Sequence, residues 1–343
     1  MKVTWPIEIV GTGAYLPAAV ITNEDIAKRG VDTSDEWIVQ RTGIHQRRKL
    51  GPGEATLALA LNASRAALAD ANVTPNDLDL IIVATVTPEQ PLPATACLLQ
   101  AALGCRWIPA YDLAAACSGF VYALNQAALY LLNDVARTVL VVGAESLTTV
   151  TDPLDRHTCI LFGDAGGAAI LRRSGDARAE FLAVSLGADG ERGKLINIPA
   201  GGSREPASLR TVNERLHYMR MQGREVYKFA VTQMQAIIEE TCADAGVSVA
   251  DLTLIIPHQS NLRIIESACE KACVSMEKVA VNIDRYGNSS SASVAVALYE
   301  ARRTGRINRG DLVLLVAWGA GLKIGMVGLY WTMPNFKEMP LAA

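Results

Sequence analysis

Long apolar runs, blocks of like charge, paired-cysteine motifs and plentiful aromatic residues are all missing from this chain. The longest uninterrupted apolar stretches, such as residues 312–322, fall well short of the roughly 18 residues needed to cross a bilayer, so no spanning helix is expected. Residues 1–6 lack a basic start followed by an apolar run and a small-residue cleavage site, which makes the cytoplasm the expected location. The formal charge of −3, from 32 Lys+Arg against 35 Asp+Glu, excludes the strongly basic surface that holds nucleic acid by counterion release. None of the seven cysteines (97, 105, 117, 159, 242, 269, 273) forms a CxxC pair, and they read as reduced thiols, mostly core fillers, one of them a candidate for reactivity. Cys269 and Cys273 are four apart, so they are expected as two buried thiols on one helix face; with no His nearby, no metal site is expected.

What is present is a compact soluble profile. Half of the 343 residues are apolar and 20% are charged, which points to one large domain or two fused ones. An internal repeat organises them. Residues 69–82 read ADANVTPNDLDLII and residues 243–256 read ADAGVSVADLTLII, an offset of 174. At the same offset, residues 117–124 fall on 291–298 and residues 139–142 on 313–316. Three segments in one register imply a duplicated unit, each copy reading helix, strand, helix, strand, with an amphipathic stretch at 54–71 before the apolar run at 80–83. Alternation of this kind predicts a mostly parallel sheet covered by helices on both faces.

No charged residue occurs between Asp112 and Asp134, and residues 118–133 are apolar on nearly every side. Such a helix is buried all round, and its counterpart at 293–301 has the same character. The two are expected to pack between two sheets in a five-layer αβαβα sandwich. Residues 1–173 form the first half. Residues 174–343 hold a linking segment, the Gly- and Pro-bearing stretch 174–216, followed by the second half.

Cys117, in Ala114-Ala-Ala-Cys-Ser-Gly-Phe120, enters the first buried helix, where the N-terminal dipole favours a thiolate; a packed thiol is the plain alternative. His258 directly follows the predicted strand in Leu254-Ile-Ile-Pro-His, the end at which parallel strands present ligand-binding residues, although a lone His there is more often structural. Asn288, in Tyr286-Gly-Asn-Ser-Ser, opens the second buried helix and reads either as a turn and cap or as an amide donor. Paired with Nε2–H of a neutral His258, that amide would hold a developing enolate oxygen while Cys117 carries an acyl group.

AACSGF around Cys117, PHQSNLRI around His258 and RYGNSSSASV around Asn288 resemble the three catalytic motifs of the β-ketoacyl-acyl carrier protein synthase III enzymes of the thiolase superfamily. The likeness continues through residues 33–44, 162–168 and 221–228. It implies a homodimeric thiolase-like fold that loads an acyl group from coenzyme A onto Cys117 and condenses it with malonyl-acyl carrier protein, priming fatty acid synthesis without a resident cofactor. A thiolase would carry a second cysteine in the loop at 316–321, which has none, and the Cys-His-Asn set differs from the Cys-His-His set of chain-elongating relatives.

The same likeness implies substrate-binding roles for several other residues. Trp37 and Arg156 would sandwich adenine, Arg41 would lie near the phosphates, and Asn261 would line the site. Lys228, Arg263 and Lys271 would greet an acidic carrier protein. Ala320 stands where the family places a glycine of the oxyanion hole, and Lys323-Ile324 also departs from the pattern. Leu92 replaces a Phe that reaches across the dimer, which predicts a starter larger than acetyl. The alternatives are a specialised condensing enzyme or acyltransferase of secondary metabolism, a non-catalytic acyl-coenzyme A binding protein and, less well supported, a thioester hydrolase. The tail at 332–343 has no functional reading.

Overall fold

The computed structural model describes residues 2–175 and 181–333. Two five-stranded sheets carry the architecture. The first runs in the order Ile7–Tyr15, Asp164–Arg173, Thr138–Ser146, Leu80–Ala84, Ala110–Leu113, and the second in the order Lys2–Trp5, Phe181–Gly187, Lys323–Tyr330, Leu312–Gly319, Leu254–Pro257. Between them lie the helices Gly119–Leu132 and Ala292–Arg303, and the outer faces are covered by Thr56–Asp70 on one side and by Gly223–Ala245 with Leu262–Lys271 on the other. This is the five-layer αβαβα sandwich.

Side-chain alternation along the strands divides the core into layers. Ile82 and Ala84 join the central core with Phe120 and Leu124, while Ile81 and Val83 join the outer one with Leu59 and Leu68. Ile256 and Leu315 face the centre, and Ile255 and Leu314 face the outer helices of the second half.

The duplication holds down to single hydrogen-bonding partners. Leu80 pairs in parallel with Val139, and Leu254 with Val313, both pairs separated by the same 174 residues. Thr74 with Asp77, and Ser248 with Asp251, form matching capping boxes ahead of those strands. Ala116 and Ser290, also 174 apart, both take the left-handed conformation at φ 48° just before their central helices.

Three expectations are corrected. The sheets are mixed rather than mostly parallel: Asp164–Arg173 lies antiparallel between Ile7–Tyr15 and Thr138–Ser146, and Lys323–Tyr330 returns antiparallel beside Leu312–Gly319. The turn Ala320–Leu322 is far too short for a parallel crossover. Within the stretch 174–216, Phe181–Gly187 is an integral strand of the second sheet, because Phe181, Leu182, Ala183 and Val184 are all buried. Finally, Cys269 is buried but Cys273 is exposed at φ 55°, past the end of its helix, so the two thiols do not share a face.

Candidate active site

Cys117 stands in the short turn Ala116–Ser118 that leads into Gly119–Leu132. Ala116 at φ 48° bends the chain there, a geometry tolerable for a small side chain, and Ser118 Oγ–H donates to Ala115 O at 2.8 Å to close the turn. Gly319, from the second half, packs directly against this turn: a Cβ on it would lie 2.6 Å from Cys117 N. Glycine is required at 319 by that close approach.

His258 is held on three sides. Its N–H donates to Val316 O at 2.7 Å, extending the strand ladder by one bond; Nδ1 lies 2.6 Å from Ser293 Oγ; and Trp318 meets the ring edge-on at 5.5 Å between centroids. Asn288 follows Gly287, whose φ of 65° makes the sharp turn possible. Its N–H donates to Leu161 O and its carbonyl accepts from Gly163 N–H, while Oδ1 accepts from Ser290 N–H at 2.9 Å. The Nδ2 amide is thereby turned to donate elsewhere. Cys117, His258 and Asn288 line one cavity of about 460 Å³, together with apolar walls such as Leu147, Phe162, Met219 and Trp318.

Burial sets the charge state. Loss of solvent pushes the Cys117 thiol up to about 12, against a hydrogen bond to Ser290 that lowers it, and takes the His258 imidazole down to about 3. The imidazole is neutral, and burial of Cys117 opposes the pull of the helix N-terminus toward the thiolate. A neutral imidazole whose Nδ1 is engaged by Ser293 presents Nε2 to the cavity that Asn288 also lines.

Trp37 and Arg41 line the same cavity. The guanidiniums of Arg156 and Arg41 sit 3.9 Å and 4.5 Å from the centre of the Trp37 ring, and Arg156 also pairs with Asp32 at 3.2 Å. Arg156 therefore stacks on Trp37 directly, leaving no room between them for a planar ring. Asn261 caps the helix Leu262–Lys271 and donates from Nδ2 to Arg41 O at 3.2 Å. Arg263 is largely spent inside the chain: it donates to Gln40 O at 2.9 Å and pairs with Glu266 at 2.7 Å. Lys228 is exposed beside Glu225, and Lys271 is exposed at the far end of the helix that begins near Arg263.

Leu92 is not brought to this cavity; it is 84% exposed. Ala320 lines the cavity, and the left-handed residue of that loop is Gly321 at φ 75°. The side chains of Lys323 and Ile324, and residues 334–343 of the tail, lie outside the described residues.

Sequence reasoning missed Glu145, Ser290 and Ser293, which surround the triad. A signal for Ser290 existed, since the repeat aligns it with Ala116, next to Cys117. Glu145 was visible only as the single charge in an otherwise uncharged strand.

Residues 111–190 match the family described as 3-oxoacyl-[acyl-carrier-protein (ACP)] synthase III, and residues 242–331 match its C-terminal part. A β-ketoacyl-[acyl-carrier-protein] synthase III of Caldanaerobacter subterraneus subsp. tengcongensis is 49% identical over 94% of this chain and 97% of its own. The crystal structure of 3-oxoacyl-[acyl-carrier-protein] synthase III from Aquifex aeolicus is 45% identical, with a TM-score of 0.87 over 95% of this chain and 100% of that one. The priming β-ketosynthase of the R1128 polyketide biosynthetic pathway is 32% identical, with a TM-score of 0.87 over 98% and 99% of the two chains.

Proposed function

The chain belongs to the β-ketoacyl-acyl carrier protein synthase III family and is a condensing acyltransferase; from that premise we propose the roles of its residues and substrates. Cys117 Sγ attacks the thioester carbonyl of an acyl-coenzyme A, the new S–C bond forms, and the coenzyme thiol leaves. A malonyl-acyl carrier protein then enters, carbon dioxide departs, and the resulting enolate attacks the Cys117-bound acyl carbon. The β-ketoacyl-carrier protein is released as the sulfur is freed. His258 Nε2–H and Asn288 Nδ2–H donate to the thioester oxygen as it gains charge, which stabilises the enolate without a strong base. No resident cofactor enters this scheme, since acyl-coenzyme A is a substrate.

The observation that carries this reading is the meeting of Cys117 from one half with His258 and Asn288 from the other in one apolar-walled cavity. Adenine would displace Arg156 from Trp37 and take its place in the stack. Exposed Lys228 and Lys271 would assist encounter with an acidic carrier protein, with Arg263 bracing the helix that bears Lys271. The working unit is a homodimer in the cytoplasm. Leu92, exposed on its own chain, would close the acyl pocket of a second copy, and its small size favours a starter longer or bulkier than acetyl.

The test is product analysis with acyl-coenzyme A donors of graded length and malonyl-carrier protein. A β-ketoacyl-carrier protein formed best from donors beyond acetyl is expected; a strict acetyl preference contradicts the role given to Leu92. A specialised condensing enzyme or acyltransferase of secondary metabolism is the second reading, favoured by the likeness to the R1128 priming ketosynthase, and acylation of an amine or alcohol acceptor instead of malonyl-carrier protein would select the acyltransferase form of it.

A further inference from the structure

The turn that carries Asn288 is seated on the first half of the chain. Ser290, two residues on, is buried and takes the left-handed conformation at φ 48°, which a residue with a side chain holds only where its surroundings impose it. Two hydrogen bonds do so. Ser290 Oγ–H donates to Glu145 Oε1 at 3.0 Å, and Ser291 Oγ–H donates to Ala84 O at 2.8 Å. Both acceptors belong to the first sheet, Glu145 in Thr138–Ser146 and Ala84 at the end of Leu80–Ala84. Glu145 is the only charged side chain of its strand and is fully buried. Its other oxygen is fixed in turn, because Oε2 accepts from Thr87 Oγ at 2.7 Å, Val86 N–H at 3.1 Å and Thr85 Oγ at 3.3 Å. The carboxyl group is thus clamped between residues 85–87 and Ser290.

What the clamp controls is a direction. Held in this conformation, Ser290 donates its backbone N–H to Asn288 Oδ1 at 2.9 Å, and that bond leaves Nδ2 as the end of the carboxamide free to donate elsewhere. The Asn288 backbone is held separately, by its N–H to Leu161 O at 2.9 Å and by its carbonyl, which accepts from Gly163 N–H at 3.0 Å. The clamp therefore bears on where the side chain points and not on where the residue sits. Resting on the functional reading above, we infer that Glu145 is a positioning residue for condensation: through Ser290 it aims the Asn288 amide at the malonyl thioester oxygen, so that one half of the chain sets the geometry of a donor carried by the other.

An amide free to turn would offer Oδ1 to the enolate for part of the time, and an acceptor there opposes the charge that the donor is meant to hold. In the scheme above the Asn288 amide serves the malonyl thioester oxygen, whereas the attack of Cys117 on acyl-coenzyme A does not call on it. Loss of the clamp therefore falls on condensation more than on acylation. Glu145 does not line the cavity and works through Ser290, which does.

The experiment compares the full-length wild type with Glu145→Ala, Ser290→Ala and Glu145→Gln in two half-reactions. Acylation of Cys117 by acyl-coenzyme A is followed in a single turnover by intact mass, and condensation is followed as consumption of that adduct by malonyl-carrier protein. Ser290→Ala removes the hydroxyl and keeps the N–H, and Ala116 shows that alanine is accepted at φ 48°, so this variant remains decisive if Glu145→Ala fails to fold. In both alanine variants condensation should slow at least about tenfold, and at least about fivefold more than acylation, with KM for the malonyl substrate within about twofold of wild type. Glu145→Gln keeps a polar partner for Ser290 Oγ and should recover most of the condensation rate. Condensation within about twofold of wild type in a folded Ser290→Ala enzyme, acylation and condensation that fall by the same factor, or a folded Glu145→Gln enzyme as slow as Ser290→Ala overturns the assignment. A wild type that forms no adduct at Cys117 would instead overturn the functional reading on which it rests.

Discussion

At the scale of the residue, burial decides the chemistry of His258. Its imidazole falls from the ordinary 6.5 to about 3, so the unfolded chain takes up a proton that the folded one refuses. The stability that depends on a neutral His258 is complete above pH 6.5 and is lost as the pH falls from there toward 3, by roughly 1.4 kcal/mol per pH unit. Glu145 acts in the opposite sense: its carboxyl is raised by burial, so its contribution is greatest below the ordinary carboxylate range and declines above it. His258→Gln should therefore show a flatter loss of stability than the wild type between pH 6.5 and about 4 in urea unfolding, and parallel curves would contradict the buried neutral ring. Gly319→Ala belongs to the same scale. A methyl group 2.6 Å from Cys117 N must displace the nucleophile's turn, and kcat should fall by about 10²-fold or more while the melting temperature drops only modestly. The residue types of the triad were legible in the sequence because each sits in a distinctive motif. Ser290 and Ser293 were not, because a run of small polar residues does not reveal which hydroxyl meets the Glu145 carboxyl and which meets the imidazole.

At the scale of the element, the two central helices enter the site because glycines let them touch the sheets. A Cβ on Gly143 would lie 2.5 Å from Ser291 O, at the start of the turn into Ala292–Arg303. Gly143→Ala should cost about 1–3 kcal/mol in denaturant unfolding, through overpacking of a junction that cannot give way. The helix Asp35–Thr42 carries Trp37 and Arg41 at the cavity mouth and is tied to Leu262–Lys271 through Arg263. Trp37→Ala should raise KM for acyl-coenzyme A about tenfold with kcat within about twofold, since stacking remote from the thioester is felt in binding of the ground and transition states alike. A fall in kcat with KM unchanged would contradict that placement. The first buried helix was legible because no charge interrupts it, and the second because the repeat aligns it with the first, although Glu300, Arg302 and Arg303 lie towards its end. The antiparallel strands were not: alternation of helices and strands suggested parallel pairing, whereas Asp164–Arg173 and Lys323–Tyr330 return without a helix and reverse direction.

At the scale of the whole molecule, the duplicated halves share one core, and buried polar links bind them. Arg302, from the second central helix, pairs with Asp70 at the end of the first half's outer helix and donates to Thr12 Oγ at 3.2 Å. Both charged side chains are nearly solvent-free. Asp70→Ala removes that carboxylate from beside the buried guanidinium and should lower stability by about 3–5 kcal/mol; a loss under about 1 kcal/mol would show that the link between the halves lies elsewhere. The repeat at offset 174 announced the paired halves and their shared core in the sequence. What it did not announce is that the strand Lys2–Trp5 lies at the edge of the second sheet, beside Phe181–Gly187, because a short edge strand has no motif to declare its partner.

Everything at all three scales converges on a single sulfur. Intact mass and peptide mapping of the full chain after mixing with acyl-coenzyme A, alone and then with malonyl-carrier protein, reads it directly. The account predicts one acyl group on the peptide that contains Cys117, none in Cys117→Ser, and discharge of that group as a β-ketoacyl-carrier protein when the malonyl substrate is added. Acylation at another residue, or an adduct on Cys117 that the malonyl substrate fails to discharge, would contradict it.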